Sequence, residues 1–393
     1  MKQGILTINA GSSSIKFALF PLAHPISQEA EVSGQIDGIG TKVTVMLAKD
    51  KAGNKIADLP VAGEQVNHDL AFDALLKWFQ ATQSGWEIVA VGHRVVHGGE
   101  RYSQPTIVDS TVLSHLTSFI PLAPLHEPHN VAGIRALQTL LPDVPQVACF
   151  DTAFHRSQPD VAQTFGLPRA LSAEGIKRYG FHGLSYEFIA RALPQHSHRA
   201  SGRVVVAHLG NGASMAAMVN RKCVATTLGF STIDGLLMGT RCGNLDPGVI
   251  LHLMETKGLS VKDMTKMLYK ESGLLGVSGI SQDMRTLLSS NKPEAQEAVD
   301  LFCYRIAREL GSLVAASGGI DALVFTGGIG EHAAEVRRRV CLQSEWLGIR
   351  LNPEANARHD IVISAGNSSV DVLVIPTNEE WMMAHHAQTL LAL

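Results

Sequence analysis

The sequence predicts an α/β fold, and three observations carry that prediction. Apolar runs of strand length alternate with amphipathic helical stretches along the chain. Two short Gly/Ser/Asn loops, each flanked by apolar runs, occur at residues 9–14 and 209–214. Each half also contains a later apolar run that ends in paired glycines, at residues 88–99 and 322–328.

In chain order, residues 4–8 read as a strand, 9–14 as a polar loop and 15–20 as a second strand. Residues 204–208, 209–214 and 215–219 repeat that grammar, which points to an internal duplication with one domain built around each loop. Residues 70–79 and 294–314 carry helical stripes; in the longer one Ala295, Ala298, Phe302, Ile306, Leu310 and Leu313 share a face. Residues 147–150 and 371–375 read as buried strands, and 378–391 as a terminal helix. The predicted domains are residues 1–150, completed by 378–393, and residues 151–377.

Composition narrows the class. The 393 residues carry 33 Lys+Arg against 36 Asp+Glu, and a net charge of −3 speaks against a nucleic-acid binder or a polybasic membrane binder. No apolar run reaches the roughly 18 residues of a membrane span, and the N-terminal run is too short for a signal-peptide core, so a cytoplasmic protein is expected. Five scattered cysteines, none in a Cys-x-x-Cys pair, fit small buried hydrophobes better than a disulfide framework or a zinc ribbon, with Cys242 the one expected to reach the surface.

The loop at residues 9–14 offers a glycine, three hydroxyls and backbone N–H groups, and Lys16 follows it: a set suited to a phosphate, although a polar hairpin turn explains the same residues. Gly210-Asn211-Gly212 is a second donor-rich turn. No Walker loop and no Gly-x-Gly-x-x-Gly fingerprint is present. Residues 326–332, with three glycines, form a strand-to-helix turn against which a nucleotide packs closely, and Asp283 and Arg285 are candidates to contact its adenosine or simply surface residues. Arg94 and Arg241 sit among glycines, where a guanidinium fork is aimed at phosphate or carboxylate or lies free on a loop. Asp151 ends an apolar strand, the place where α/β proteins bind ligands, and His182 is flanked by Phe181 and Gly183. The histidine clusters His93/His97, His126/His129 and His385/His386 lack the helical His-Glu-x-x-His arrangement, so no dedicated zinc site is expected. No Gly-x-Ser-x-Gly elbow is present to support a serine hydrolase.

Seven stretches taken together, at residues 9–16, 92–99, 150–155, 178–183, 208–212, 238–241 and 376–380, resemble the acetate and propionate kinase family, in family order and across nearly the whole chain. The resemblance implies the acetate/sugar kinase, Hsp70 and actin fold, with two duplicated ribonuclease-H-like domains and a nucleotide cleft between them. It implies reversible, Mg²⁺-dependent (or Mn²⁺-dependent) phosphoryl transfer from ATP to a short carboxylate, acetate first, giving acetyl phosphate and ADP, in a homodimer. Arg94, Arg241, His182 and Asp151 would be catalytic. Val96, Leu125, His126, Phe181 and Thr232 would surround the acyl group together with Arg94. Nucleotide contacts would come from Ser12, Ser14 and Lys16, from His208, Leu209, Gly210, Asn211 and Gly212, from Asp283, Met284 and Arg285, and from Gly328, Ile329, Gly330, Glu331 and His332. Asn9 and Glu379 would help hold the metal.

Three departures from the family pattern stand out: Thr232 replaces a proline, Glu127 and His129 replace an asparagine and a small residue, and His332 replaces an asparagine. Because of them, propionate as acceptor and diphosphate as donor stay as alternatives, and an ATP-driven switch of the actin/Hsp70 kind is a remote third.

Overall fold

Alternating and continuous apolar runs become two sheets in the computed structural model, which describes residues 1–63, 65–83 and 85–393. The first sheet contains β1 (Lys2–Ala10), β2 (Ser14–Pro21), β3 (Val32–Asp37), β4 (Val45–Asp50), β5 (Lys55–Pro60), β6 (Trp86–Val95), β7 (Thr106–Ile107) and β8 (Gln146–Phe150). The second contains β9 (Arg203–Leu209), β10 (Ala213–Val219), β11 (Lys222–Thr226), β12 (Ala322–Thr326) and β13 (Asp371–Val374). Strand orders are β5-β4-β3-β2-β1-β6-β8-β7 and β11-β10-β9-β12-β13.

The order β3-β2-β1-β6-β8 in the first sheet is repeated by the whole of the second, β11-β10-β9-β12-β13. In each, a hairpin (β1/β2, β9/β10) is antiparallel, its first strand pairs in parallel with a later one (β6, β12), and that strand pairs in parallel with a third (β8, β13). This is the duplicated grammar of the two loops, realised as hydrogen bonding. The parallel strands are covered on both faces and therefore read as unbroken apolar runs: every residue of β8 and of β12 is buried.

The chain forms two compact units, Met1–Ala153 with Asn378–Leu393 and Phe154–Thr377. In the first, the His68–Thr82 helix starts at Asn67, whose side chain accepts from Leu70 N, and buries Phe72, Leu75 and Phe79 beside Phe17 and Leu19 of β2. Each such side chain withdrawn from water contributes about 1.5–3 kcal/mol. The Glu379–Leu391 helix packs on β1 and β6 through Met382 and Met383. In the second unit, the 25-residue Pro293–Ser317 helix begins with proline, ends at Gly318 in the left-handed region, and buries the predicted stripe.

Two boundaries differ from the sequence reading. The apolar run that opens at residue 88 and meets its first glycine at residue 92 does not end there: β6 continues through Gly92, His93 and Arg94 to Val95. Gly92 is there for a close helix crossing instead: a Cβ would lie 3.0 Å from the backbone oxygen of Met383. Strands β3, β4 and β5, more polar and partly exposed, carry too weak an alternation to be read from the sequence. Cys149, Cys223, Cys303 and Cys341 are buried, and Cys242 is half-buried.

Candidate active site

In the first unit the candidate side chains Asn9, Arg94 and Asp151 gather where β1, β6 and β8 end. Arg94 is carried to the end of β6, and its guanidinium is fixed from two sides. Nε donates to Asp151 Oδ2 at 3.0 Å, Nη2 donates to the same oxygen, and Nη1 donates to Asn9 Oδ1 at 3.2 Å. Glu379 Oε2 lies 4.0 Å from Nε. Burial works against the Arg94 charge, but Asp151 and then Glu379 outweigh it and hold the guanidinium protonated. Asp151 is wholly buried, and its Oδ1 has no hydrogen-bond partner among the described residues. Burial also lifts the Glu379 carboxyl above the usual carboxylate range; Arg94 opposes the shift, and Asp151 and Glu380 add to it.

The backbone around Arg94 is clamped. Asn130, from the Glu127–Leu140 helix, accepts from Val96 N and donates to Ala10 O, which ties the ends of β6 and β1 together. Glu127 Oε2 accepts from His97 N at 3.2 Å, and Thr152 Oγ1 accepts from Gly98 N at 3.1 Å. Gly98 must be glycine, since a Cβ would press on the Phe150 ring at 3.1 Å and on Tyr102 O at 2.6 Å. The Glu127 carboxyl is wholly buried, its Oε1 has no partner among the described residues, and burial pushes its pKa up to about 8, opposed by the His97 N–H and helped by Asp151. Of the acyl-pocket residues expected from the sequence, Val96, Leu125 and His126 belong to this unit, and His126 stands at the start of the Glu127–Leu140 helix. Phe181 and Thr232 belong to the second.

Ser12, Ser14 and Lys16 lie on the first hairpin, where Gly11 N donates to Ser14 O at 2.8 Å and Lys16 pairs in register with Asn9. That register places an amide and an ammonium side by side on neighbouring strands.

The histidine clusters are structural or local. His93 is buried, binds Gln146 Oε1 through Nε2, and is pushed down to about 4 by burial. His97 Nδ1 accepts from Gly99 N, and His129 stacks on His68. Among the described residues no group of three His, Cys, Asp or Glu side chains is arranged to hold a metal ion. What the first unit does offer is oxygen donors, on Asn9, Glu379 and the unpartnered Asp151 Oδ1, a donor set suited to a hard cation that keeps most of its water.

In the second unit His182, Arg241 and Asn211 surround Gly212. His182 has φ 59, the left-handed region, and stands at the head of the Gly183–Ala192 helix. Its Nδ1 lies 2.8 Å from Ser214 Oγ, and its ring stacks on His208 with centroids 4.4 Å apart. A Cβ on Gly212 would meet His182 Nε2 at 3.4 Å and Arg241 Nη1 at 3.8 Å, so both side chains aim at that glycine. Arg241 Nη1 donates to Thr232 O at 3.1 Å, a carbonyl that proline would supply equally well. Gly239 cannot carry a side chain, because Asn211 occupies that space. Before His182, Gly180 makes room for the His155 ring, whose Nε2 is bound to Phe181 O and whose pKa burial lowers to about 4.

A cavity of about 420 Å³ adjoins this cluster. Gly210 and Asn211, Asp283, Met284 and Arg285, and Gly328, Ile329 and His332 all line it, joined by Leu288 and Ala333, which the sequence had not indicated. Leu209 and Gly330 are buried away from it, and Glu331 turns back so that Oε1 accepts from Gly327 N and Thr377 N. Asp283 and Arg285 form an exposed ion pair at 2.6 Å on its rim. Beneath it the wholly buried Arg337 donates to Gly330 O, Glu331 O and Asn356, fixing the Gly327–His332 turn. No sequence signal marks Arg337, because its partners, carbonyl oxygens and the His359 ring, are brought near only by the fold.

Comparison with known proteins agrees with this chemistry. The acetokinase family model matches residues 4–385. An acetate kinase of Rhodopseudomonas palustris is 53% identical over 393 residues, covering 98% of each chain. Among solved structures, a propionate kinase from Francisella tularensis superposes with TM-score 0.91 at 36% identity, covering 98% of this chain and 99% of its own. Porphyromonas gingivalis acetate kinase gives 0.89 at 36% identity, covering 99% and 100%. Matched over its length in both sequence and fold, the chain belongs to the acetokinase family and is a phosphotransferase with ATP as co-substrate and a carboxyl group as acceptor.

Proposed function

We propose that the chain transfers the γ-phosphoryl group of ATP to acetate, reversibly, giving acetyl phosphate and ADP. The observation that carries this reading is the fixed guanidinium of Arg94, locked by Asp151 and Asn9 at the end of a buried strand. A carboxylate fits such a fork in two-point fashion.

An acetate oxygen attacks the γ-phosphorus as the bond to the leaving ADP oxygen breaks. Negative charge spreads over the three equatorial oxygens, and catalysis is mainly positioning and charge stabilisation. Arg94 and Arg241 supply cationic contacts, and His182 and Asn211 supply hydrogen bonds. The acceptor is already an anion at neutral pH, so Asp151 is not needed as a base and acts by orienting Arg94. The first unit is the acyl-kinase unit, with Ser12, Ser14 and Lys16 toward the phosphates; the second is the nucleotide-binding unit. Asn9 and Glu379 would hold Mg²⁺, or Mn²⁺ in its place, which neutralises phosphate charge when bound.

The cavity supports a nucleoside donor over bare diphosphate, since Met284, Leu288 and Ile329 give it apolar walls that a diphosphate has no use for. The same reading takes the protein as a cytoplasmic homodimer; the Pro247–Lys257 helix, which buries none of its residues, supports a partner surface. Incubation with acetate, ATP and Mg²⁺ in the presence of hydroxylamine tests the reaction. Acetohydroxamate is the expected product; product from diphosphate alone, or none at all, would overturn the proposal.

A further inference from the structure

We propose that Ser214 and Tyr186 are positioning residues that decide which ring nitrogen of His182 carries the proton, so that Nε2–H is the donor presented toward Gly212 and Arg241. This rests on the reading of His182 as hydrogen-bond donor to the transferring phosphoryl group.

Ser214 Oγ lies 2.8 Å from His182 Nδ1 and 2.5 Å from the Tyr186 hydroxyl, and Ser214 and Tyr186 are both wholly buried. A serine hydroxyl has a single proton to give. Of its two neighbours the phenol is the stronger acid and the imidazole nitrogen the stronger base, which sets the direction of donation. Tyr186 O–H donates to Ser214 Oγ, and Ser214 O–H donates to His182 Nδ1. A neutral ring whose Nδ1 accepts must carry its proton on Nε2. That nitrogen belongs to the edge facing Gly212 and Arg241 Nη1. The opposite tautomer would turn a lone pair toward the anionic oxygens.

The ring is fixed in tilt as well as in protonation. It stacks on His208 at 4.4 Å with 23° between planes, and His208 Nδ1 is held by Ser185 Oγ at 2.8 Å. Ser185 and Tyr186 lie on the helix that His182 begins, and Ser214 is the cross-strand partner of His208. One helical turn and one strand pair therefore grip the ring by its face and by its rear edge. The left-handed backbone at His182, φ 59, is unfavourable for a residue with a Cβ and is kept in a place where it aims the ring.

Steady-state kinetics of Ser214→Ala, Tyr186→Phe and His182→Gln in the full chain, with ¹⁵N NMR of histidine-labelled protein, form the test. Ser214→Ala should lower kcat about 10- to 100-fold, a fraction of the loss expected for removing a donor outright, with the KM values for ATP and acetate almost unchanged. The His182 signal, assigned by its disappearance in His182→Gln, should show the Nε2–H tautomer in the wild type. An Nδ1–H tautomer there overturns the proposal whether or not the variants fold, and so does wild-type kcat in folded Ser214→Ala. Wild-type turnover in His182→Gln would instead overturn the reading on which the proposal rests.

Discussion

Arg94 Nε lies 3.0 Å from Asp151 Oδ2, while the other oxygen of that wholly buried carboxylate has no hydrogen-bond partner among the described residues. Leaving a buried acceptor unpaired costs about 1–3 kcal/mol, a cost that makes sense where substrate or metal-bound water completes the set. Asp151→Asn keeps the shape and removes the charge that pins Arg94. Its kcat should fall on the order of 10²–10³-fold, with little change in ATP affinity. Initial-rate kinetics check this, and a kcat near the wild-type value would mean that Arg94 does not depend on the aspartate.

Glu127 should make stability depend on pH. Its carboxyl sits at about 8 in the folded chain against an ordinary value of 4.5, so folding favours the protonated form. The contribution is complete below the ordinary value and is lost as pH rises through about 8. Glu127→Gln stays neutral throughout. Relative to wild type, the variant should gain stability between pH 6 and pH 9, by a few kcal/mol at most on the scale of about 1.4 kcal/mol per pKa unit. Urea denaturation at the two pH values measures the difference, and parallel pH profiles would contradict a buried neutral carboxyl.

At the first departure from the family pattern, Thr232 offers Arg241 a carbonyl that proline retains. Thr232→Pro should therefore fold and keep turnover, and change the ratio of acetate to propionate specificity constants by altering the pocket. One methylene in such a pocket is worth about 1–3 kcal/mol, which sets the range of the shift. A ratio that does not move would remove Thr232 from the acyl pocket.

His332 lines the cavity of the second unit, the proposed nucleotide site, with 79% of its side chain exposed, so replacing it should cost little stability. His332→Asn is expected to alter the ratio of ATP to GTP specificity constants severalfold and to leave the KM for acetate alone. Parallel assays with the two nucleotides decide it; an unchanged ratio would place the base elsewhere.

Much of this site was legible because its residues leave marks in the sequence. Arginines among glycines, serines in a tight loop and an aspartate at the end of an apolar run each have a local signature, and the paired hairpins announced the repeated sheets. What escaped was non-local. Gly92 reads as a turn until the crossing of the Glu379–Leu391 helix shows why a strand needs a glycine there. Glu127 stands out in the sequence only as a departure from the family pattern, yet the fold buries it against His97. Ser214, Tyr186 and Arg337 are ordinary residues whose partners are fixed only by packing between strand and helix. Strands β3 to β5 carry too little apolar contrast to be found without the sheet that they extend.

The proposed charge clamp on the transferring phosphoryl group is tested most directly in Arg241→Ala, by measuring turnover and, by calorimetry, ATP affinity in the same preparation. Turnover should drop on the order of 10²–10³-fold while the Kd for ATP stays close to that of the wild type. Undiminished turnover, or a loss accounted for by weakened ATP binding alone, would contradict the assignment of Arg241 to the transferring group.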